Sequence, residues 1–220
     1  GSLLKEAVIV ESVRTAIGKL GGTLKNETAD KLAAEVLKDL YNKSGITYDM
    51  IDEVILGQAK QSADQSNIAR VSSLLAGFPI EIPGYTVHRQ CGSGLQTVNN
   101  AAQQIMTGIS DVIVAGGVES MSTAPYYVNH VRFGTIAGNI EFRDPNVASQ
   151  PGSQPKSMYK TDTMGQTAET LAEQYNISRE EQDEFALLSQ ERAHHAIENG
   201  YFEEQITPYI VKERKQTINF

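Results

Sequence analysis

The 220-residue sequence has one cysteine, no tryptophan and four histidines. A single cysteine excludes an internal disulfide framework and a thiolate-rich zinc site, and such sparing use of thiols suits a reducing cytoplasm. No apolar run approaches the roughly 20 residues that a membrane-spanning helix needs. Positive charge is in deficit: 19 Lys and Arg against 27 Asp and Glu leave a net charge of −8. That balance argues against general binding to nucleic acid or to anionic membranes. The opening G-S-L-L-K-E-A-V-I-V has no basic segment ahead of a long apolar one, so it does not read as a signal peptide. Gly1 and Ser2 are left out of the fold reading.

What is present supports a packed core. The chain is 40 % hydrophobic, and its length suits one large domain, or one domain with an appendage. Through about Glu119 two periods alternate. Short β-branched runs at Ala7–Val10, Val54–Leu56, Tyr85–Val87 and Val112–Ala115 read as strands. Between them lie helical stripes: Leu32, Val36, Leu37 and Leu40; then Ile68, Val71, Leu74 and Leu75 behind a Ser66 cap; then Leu95, Val98, Ala102, Ile105 and Met106. Strands alternating with helices indicate βαβ units and an α/β fold with a largely parallel sheet.

From Met121 to Thr163 the composition shifts to Pro, Gly, Ser, Asn and Tyr with no sustained period. Beyond it, Thr167 to Tyr175 is helical. The run Ser178-Arg179-Glu180-Glu181 is a capping box opening a long helix that stops at Asn199-Gly200. Tyr209–Val211 and Thr217–Phe220 read as strand. The chain stops there without a closing signal, which reads as a truncation. The expected organisation is an α/β domain over 3–121, a mainly helical loop sub-domain over 122–208, and a returning strand over 209–220, cut short.

The one thiol sits in V-H-R-Q-C-G-S-G-L-Q-T-V, residues 87–98. A free cysteine usually behaves as a small buried hydrophobe. Here Cys91 ends a strand and stands at the N-terminus of a helix, where unpaired N–H groups and the helix dipole favour the thiolate. The glycines beside it clear room for a substrate carbonyl, and its own N–H could face a developing oxyanion. On spacing alone the inert and the nucleophilic readings balance. Thr97 breaks a dinucleotide-binding G-x-G-x-x-G, and C-G-S-G-L is not the G-x-S-x-G of a serine nucleophile, so Ser93 reads as a cap. No histidine is an evident base. His194 and His195 lie on the long polar helix, His130 lies in the irregular stretch, and strand alternation turns His88 away from Cys91.

The stretch Q-C-G-S-G-L-Q resembles the acylated-cysteine motif of the thiolases. V-R-T-A-I-G-K near Arg14, A-G-G-V-E-S-M-S at 115–122, M-G-Q-T-A-E at 164–169 and I-S-R-E-E-Q-D-E-F-A at 177–186 agree, in the family's order. The resemblance implies two similar α/β halves, with a helical loop domain inserted in the first that helps to bind coenzyme A. It implies that Cys91 takes an acyl group as a thioester, with its backbone N–H in an oxyanion hole. It implies further that Gly92 and Met164 contact the substrate. Acyl-CoA and CoA are the implied partners, with no other cofactor and no metal, in a cytoplasmic homo-oligomer whose 126–142 arm suits a tetramerisation loop.

The implied reaction is condensation of two acetyl-CoA or thiolytic cleavage of a 3-ketoacyl-CoA. The family's G-H-P histidine and second C-x-G cysteine have no counterpart in this sequence. The chain alone is therefore expected to acylate slowly or not at all. A non-catalytic CoA-binding or oligomerising fragment is the rival reading, and a ketosynthase the more distant one. Thr163 stands where several short-chain members have His. Glu119 reads as a buried carboxylate ordering its turn.

Overall fold

Val54-Ile55-Leu56 forms the centre of the sheet, as an apolar β-branched run buried on both faces should. The computed structural model describes residues 3–213 and 216–220. It divides into two units, Gly1–Ala124 with Gln205–Phe220, and Pro125–Glu204. In the first unit β1 (Glu53–Gly57) lies between β2 (Gly84–Val87) and β3 (Ile113–Gly117), all parallel.

Helix α1 (Ala29–Ser44) and helix α2 (Ile68–Leu75) cover one face of this sheet, packing Leu37 and Ile68 on Val54 and Leu56. Alternation sends Ile55 and Gly57 to the opposite face, where α3 (Ser93–Met106) lies. Glycines at positive φ, Gly45, Gly77 and Gly108, follow α1, α2 and α3. The final residues form an antiparallel hairpin of β4 (Ile210–Glu213) and β5 (Gln216–Asn219), with Tyr209 and Val211 packed on Leu24 and Leu32.

Five expectations need correction. Ala7–Val10 is not a strand: Val8, Ile9 and Val10 are two-thirds exposed or more, and the run borders an apolar groove of about 880 Å³ that separates it from β3. A strand needs a ladder partner, and among the described residues the backbone anchors of this segment lie at its ends, at Lys5 on Met106 and Arg14 on Gln205 and Thr207. Helix α2 is capped by Asn67, not Ser66. It buries Ser72 and Ser73 with Ile68 and Ala69 rather than Leu74 and Leu75, and at Ala69 it lies close against Gly84. Helix α3 buries Ser93, Thr97 and Ala101, while Leu95 is exposed and Val98 and Ile105 line the groove. Ser93 is not the cap of α3: Gly92 holds that position, and the Ser93 hydroxyl reaches backward instead.

Asp52 ties the entry of β1 to that of β3. Its Oδ2 accepts the N–H of Asp111 at 2.7 Å and of Val112 at 3.0 Å. These bonds hold its carboxyl below the ordinary aspartate value. A lowered folded pKa stabilises above the unfolded value, and the gain disappears as pH falls through the folded one. Asp52→Asn should cost about 1 kcal/mol at neutral pH, the figure discounted for solvent exposure. In urea titrations that difference should shrink as acid protonates Asp52 in the folded protein.

The second unit contains α4 (Pro145–Ala148), α5 (Met164–Gln174) and α6 (Arg179–Glu198). The capping box at Ser178 and Glu181 is formed in full, and Thr163 with Gln166 makes a second one at α5. Backbone bonds between Tyr127 and Arg143 close an arm whose Phe133 and Ile136 side chains are fully exposed. His194 pairs with Glu198 on the exposed side of α6. Among the described residues no helix is long and apolar enough to cross a membrane.

Candidate active site

Cys91 stands beyond the carboxyl end of β2, at the foot of α3, and is exposed. In open parallel sheets ligands bind beyond the carboxyl ends of the strands. A tight turn delivers the thiol: the Gly92 N–H donates to Arg89 O at 3.0 Å, and the Ser93 N–H donates to Gln90 O at 3.1 Å. Gln90 has φ 45°, a left-handed conformation that costs a non-glycine residue about 1 kcal/mol. The buried Ser93 hydroxyl holds both sides of it, accepting from Arg89 N at 2.8 Å and donating to Gln90 O at 2.6 Å.

The foot of α3 sits on the sheet with no side chain between them. A Cβ on Gly57 would lie 2.5 Å from Ser93 C, 2.6 Å from Ser93 O and 2.8 Å from Gly94 N, all backbone. One on Gly117 would lie 3.1 Å from Gly94 Cα. Thr97, fully buried one turn on, places its hydroxyl 2.6 Å from Gly94 O and 3.0 Å from Gly116 O. The height of Cys91 above the strand ends is thus set by backbone-to-backbone contact.

Glu119 leaves β3 at the same end and accepts the Lys60 N–H at 2.8 Å, fastening the loop that follows β1. It orders that loop rather than lying buried, for it keeps a solvent-facing side. Neighbouring atoms still desolvate the carboxyl enough to raise its pKa, against the lowering by Lys60 and His88. A raised folded pKa destabilises wherever the group is ionised in both states. Glu119→Gln, which keeps the acceptor for Lys60, should therefore melt above wild type at about pH 8 and show no gain at about pH 4.

Cys91 and Gly92 are brought together in this turn. Met164 belongs to the second unit, where it opens α5, is 60 % exposed and donates its N–H to Gln150 Oε1 at 2.9 Å. His88 is exposed just past β2. The large apolar groove does not include Cys91, so cavity volume does not mark the site. Among the described residues no group of three His, Cys, Asp or Glu side chains is placed to hold a metal ion. Ser93, Gly57 and Gly117 were not singled out from the sequence as parts of the site. Their roles depend on which segments meet, and a serine or glycine beside a helix start carries no local sign of that.

Comparison with known proteins agrees with this fold. Residues 7–220 match the model of the thiolase N-terminal domain. A probable acetyl-CoA acyltransferase of Staphylococcus aureus is 39 % identical over 212 residues, 96 % of this chain and 53 % of the relative. A beta-ketoadipyl-CoA thiolase of Acinetobacter baylyi is 40 % identical over 215 residues, with the same coverage. The crystal structure of the Bacillus anthracis acetyl-CoA acetyltransferase superposes with a TM-score of 0.93 at 44 % identity, covering all of this chain and 55 % of that one. The chain thus spans about half the length of the relatives it matches. A match over this span, with the cysteine motif at the foot of α3, shows that the chain belongs to the thiolase family, as its N-terminal domain.

Proposed function

We propose that this chain carries the nucleophile of a thiolase-type acyl transfer between coenzyme A thioesters. The observation that supports the reading best is an exposed thiol presented by a left-handed turn at the foot of α3, beyond the carboxyl ends of parallel strands. In the cleavage direction the Cys91 thiolate attacks the β-carbonyl carbon of a 3-ketoacyl-CoA. The bond between the α and β carbons breaks, its electron pair leaves on the enolate of acetyl-CoA, and that carbon takes a proton. The acyl group stays on Sγ until the thiol of CoA displaces it and Cys91 is regenerated. Run in reverse with acetyl groups, the same steps condense two acetyl-CoA to acetoacetyl-CoA.

Gly92 leaves room beside the sulfur and the Cys91 N–H faces the oxyanion, while a substrate-contacting role for Met164 rests on the family resemblance alone. Moving the protons is the task of a histidine and a second cysteine, which the family supplies in its other half. CoA thioesters are the substrates and no further cofactor takes part. The exposed Phe133 and Ile136 support assignment of the arm to self-association, and the lone free thiol supports a cytoplasmic setting. One observation favours a rival, non-catalytic CoA-binding role: the sequence has a single cysteine and no G-H-P.

The decisive assay expresses the chain with the coding sequence that follows Phe220 and follows thiolytic loss of acetoacetyl-CoA. Cleavage that depends on added CoA is the expected result. No cleavage of acetoacetyl-CoA or of longer 3-ketoacyl-CoA esters would overturn the proposal.

A further inference from the structure

We propose that Ser93 is a positioning residue for Cys91, holding the turn that aims the thiol; the inference rests on the thiolase reading above. Three non-glycine residues have positive φ among the described residues, and only Gln90 of these adjoins the cysteine. A residue in that conformation stays there only when its surroundings over-determine it. Ser93 supplies several of the bonds around Gln90. The Gln90 carbonyl accepts the Ser93 N–H and the Ser93 hydroxyl, and the same hydroxyl accepts the preceding Arg89 N–H. One side chain, 4 % exposed, therefore fastens the backbone on both sides of the left-handed residue.

The hydroxyl does nothing else that the fold requires. It does not cap α3, whose first turn is entered through Gly92. Without it the Arg89 N–H loses its acceptor and the Gln90 carbonyl keeps only the Ser93 N–H of its two Ser93 donors, which weakens the hold on positive φ at Gln90. Relaxation of that φ rotates the peptide joining Gln90 to Cys91, and with it both the sulfur and the Cys91 N–H. The helix below stays in place, because Gly57, Gly117 and Thr97 seat it independently.

The test compares two reagents on the protein expressed with its downstream coding sequence. Acetylation of Cys91 by acetyl-CoA demands an aimed thiol, whereas alkylation by iodoacetamide demands only an accessible one. Ser93→Ala should slow acetylation roughly 10- to 100-fold while alkylation stays within about 3-fold of wild type. Gln90→Gly added to Ser93→Ala should recover acetylation, since glycine adopts positive φ without strain. Unchanged acetylation in Ser93→Ala, equal slowing toward both reagents, or no recovery in the double variant would each overturn the inference. A wild-type protein that acetyl-CoA leaves unmodified would instead overturn the thiolase reading, so the two failures are distinct.

Discussion

Under the proposed function, and in the protein expressed with any coding sequence that follows Phe220, Cys91→Ala should lower thiolytic turnover by roughly 10⁴-fold or more, with the fold intact. The side chain is exposed, and truncation of a surface residue outside the core typically changes stability by no more than about 0.5 kcal/mol. In the proposed mechanism its loss removes the covalent intermediate, so one direct acyl exchange between thioesters must replace two easier steps. Cys91→Ser keeps the shape, yet should be nearly as inactive, because the hydroxyl is far less acidic and far less nucleophilic than a thiol at neutral pH. Turnover, a melting curve and a CoA-binding isotherm on the same samples check the expectation. Retained binding with lost turnover is the predicted pattern.

Gly57→Ala is expected to be the most damaging small substitution away from the thiol itself. The new methyl would meet Ser93 C, Ser93 O and Gly94 N at 2.5–2.8 Å, and none of these atoms can rotate aside. The foot of α3 has to lift. Overpacking of this kind costs about 1–3 kcal/mol, and a displacement near 1 Å at the nucleophile can cost about 100-fold in rate. Neighbouring glycines supply a graded comparison. A methyl on Gly117 would meet Gly94 Cα at 3.1 Å and should give an intermediate effect, and one on Gly116 would touch only Leu56 Cδ2 at 3.7 Å and should be close to wild type. Acetylation rates and Tm falling in the order 116, 117, 57 would support a nucleophile seated by backbone contact.

Much of the fold was legible along the chain. The β-branched runs that became β1, β2 and β3 carry their own burial signal, and the capping box at Ser178 opens α6 as read. The placing of Cys91 between a strand and a glycine-flanked helix start was legible as well, while spacing alone left its inert and nucleophilic readings in balance. The misses share a physical cause. Ala7–Val10 has strand composition, but a strand depends on a neighbour to pair with, and this segment borders a groove. Ser72, Ser73 and Thr97 are buried where helices lie close to the sheet or to each other, so polar periodicity misled. Leu95 lies two residues from both Ser93 and Thr97, on the side of α3 opposite that buried stripe, and so faces outward. Ser93 looked like a cap because serine usually acts on the residues ahead of it, whereas here its hydroxyl acts on those behind.

The central claim is that Cys91 receives the acyl group. Intact-mass analysis with peptide mapping after brief exposure to acetyl-CoA tests it most directly, on the protein expressed with the coding sequence downstream of Phe220. One acetyl group on the peptide that contains Cys91, absent from Cys91→Ala, is the predicted result. An acetyl adduct that maps elsewhere, or that survives in Cys91→Ala, would contradict it.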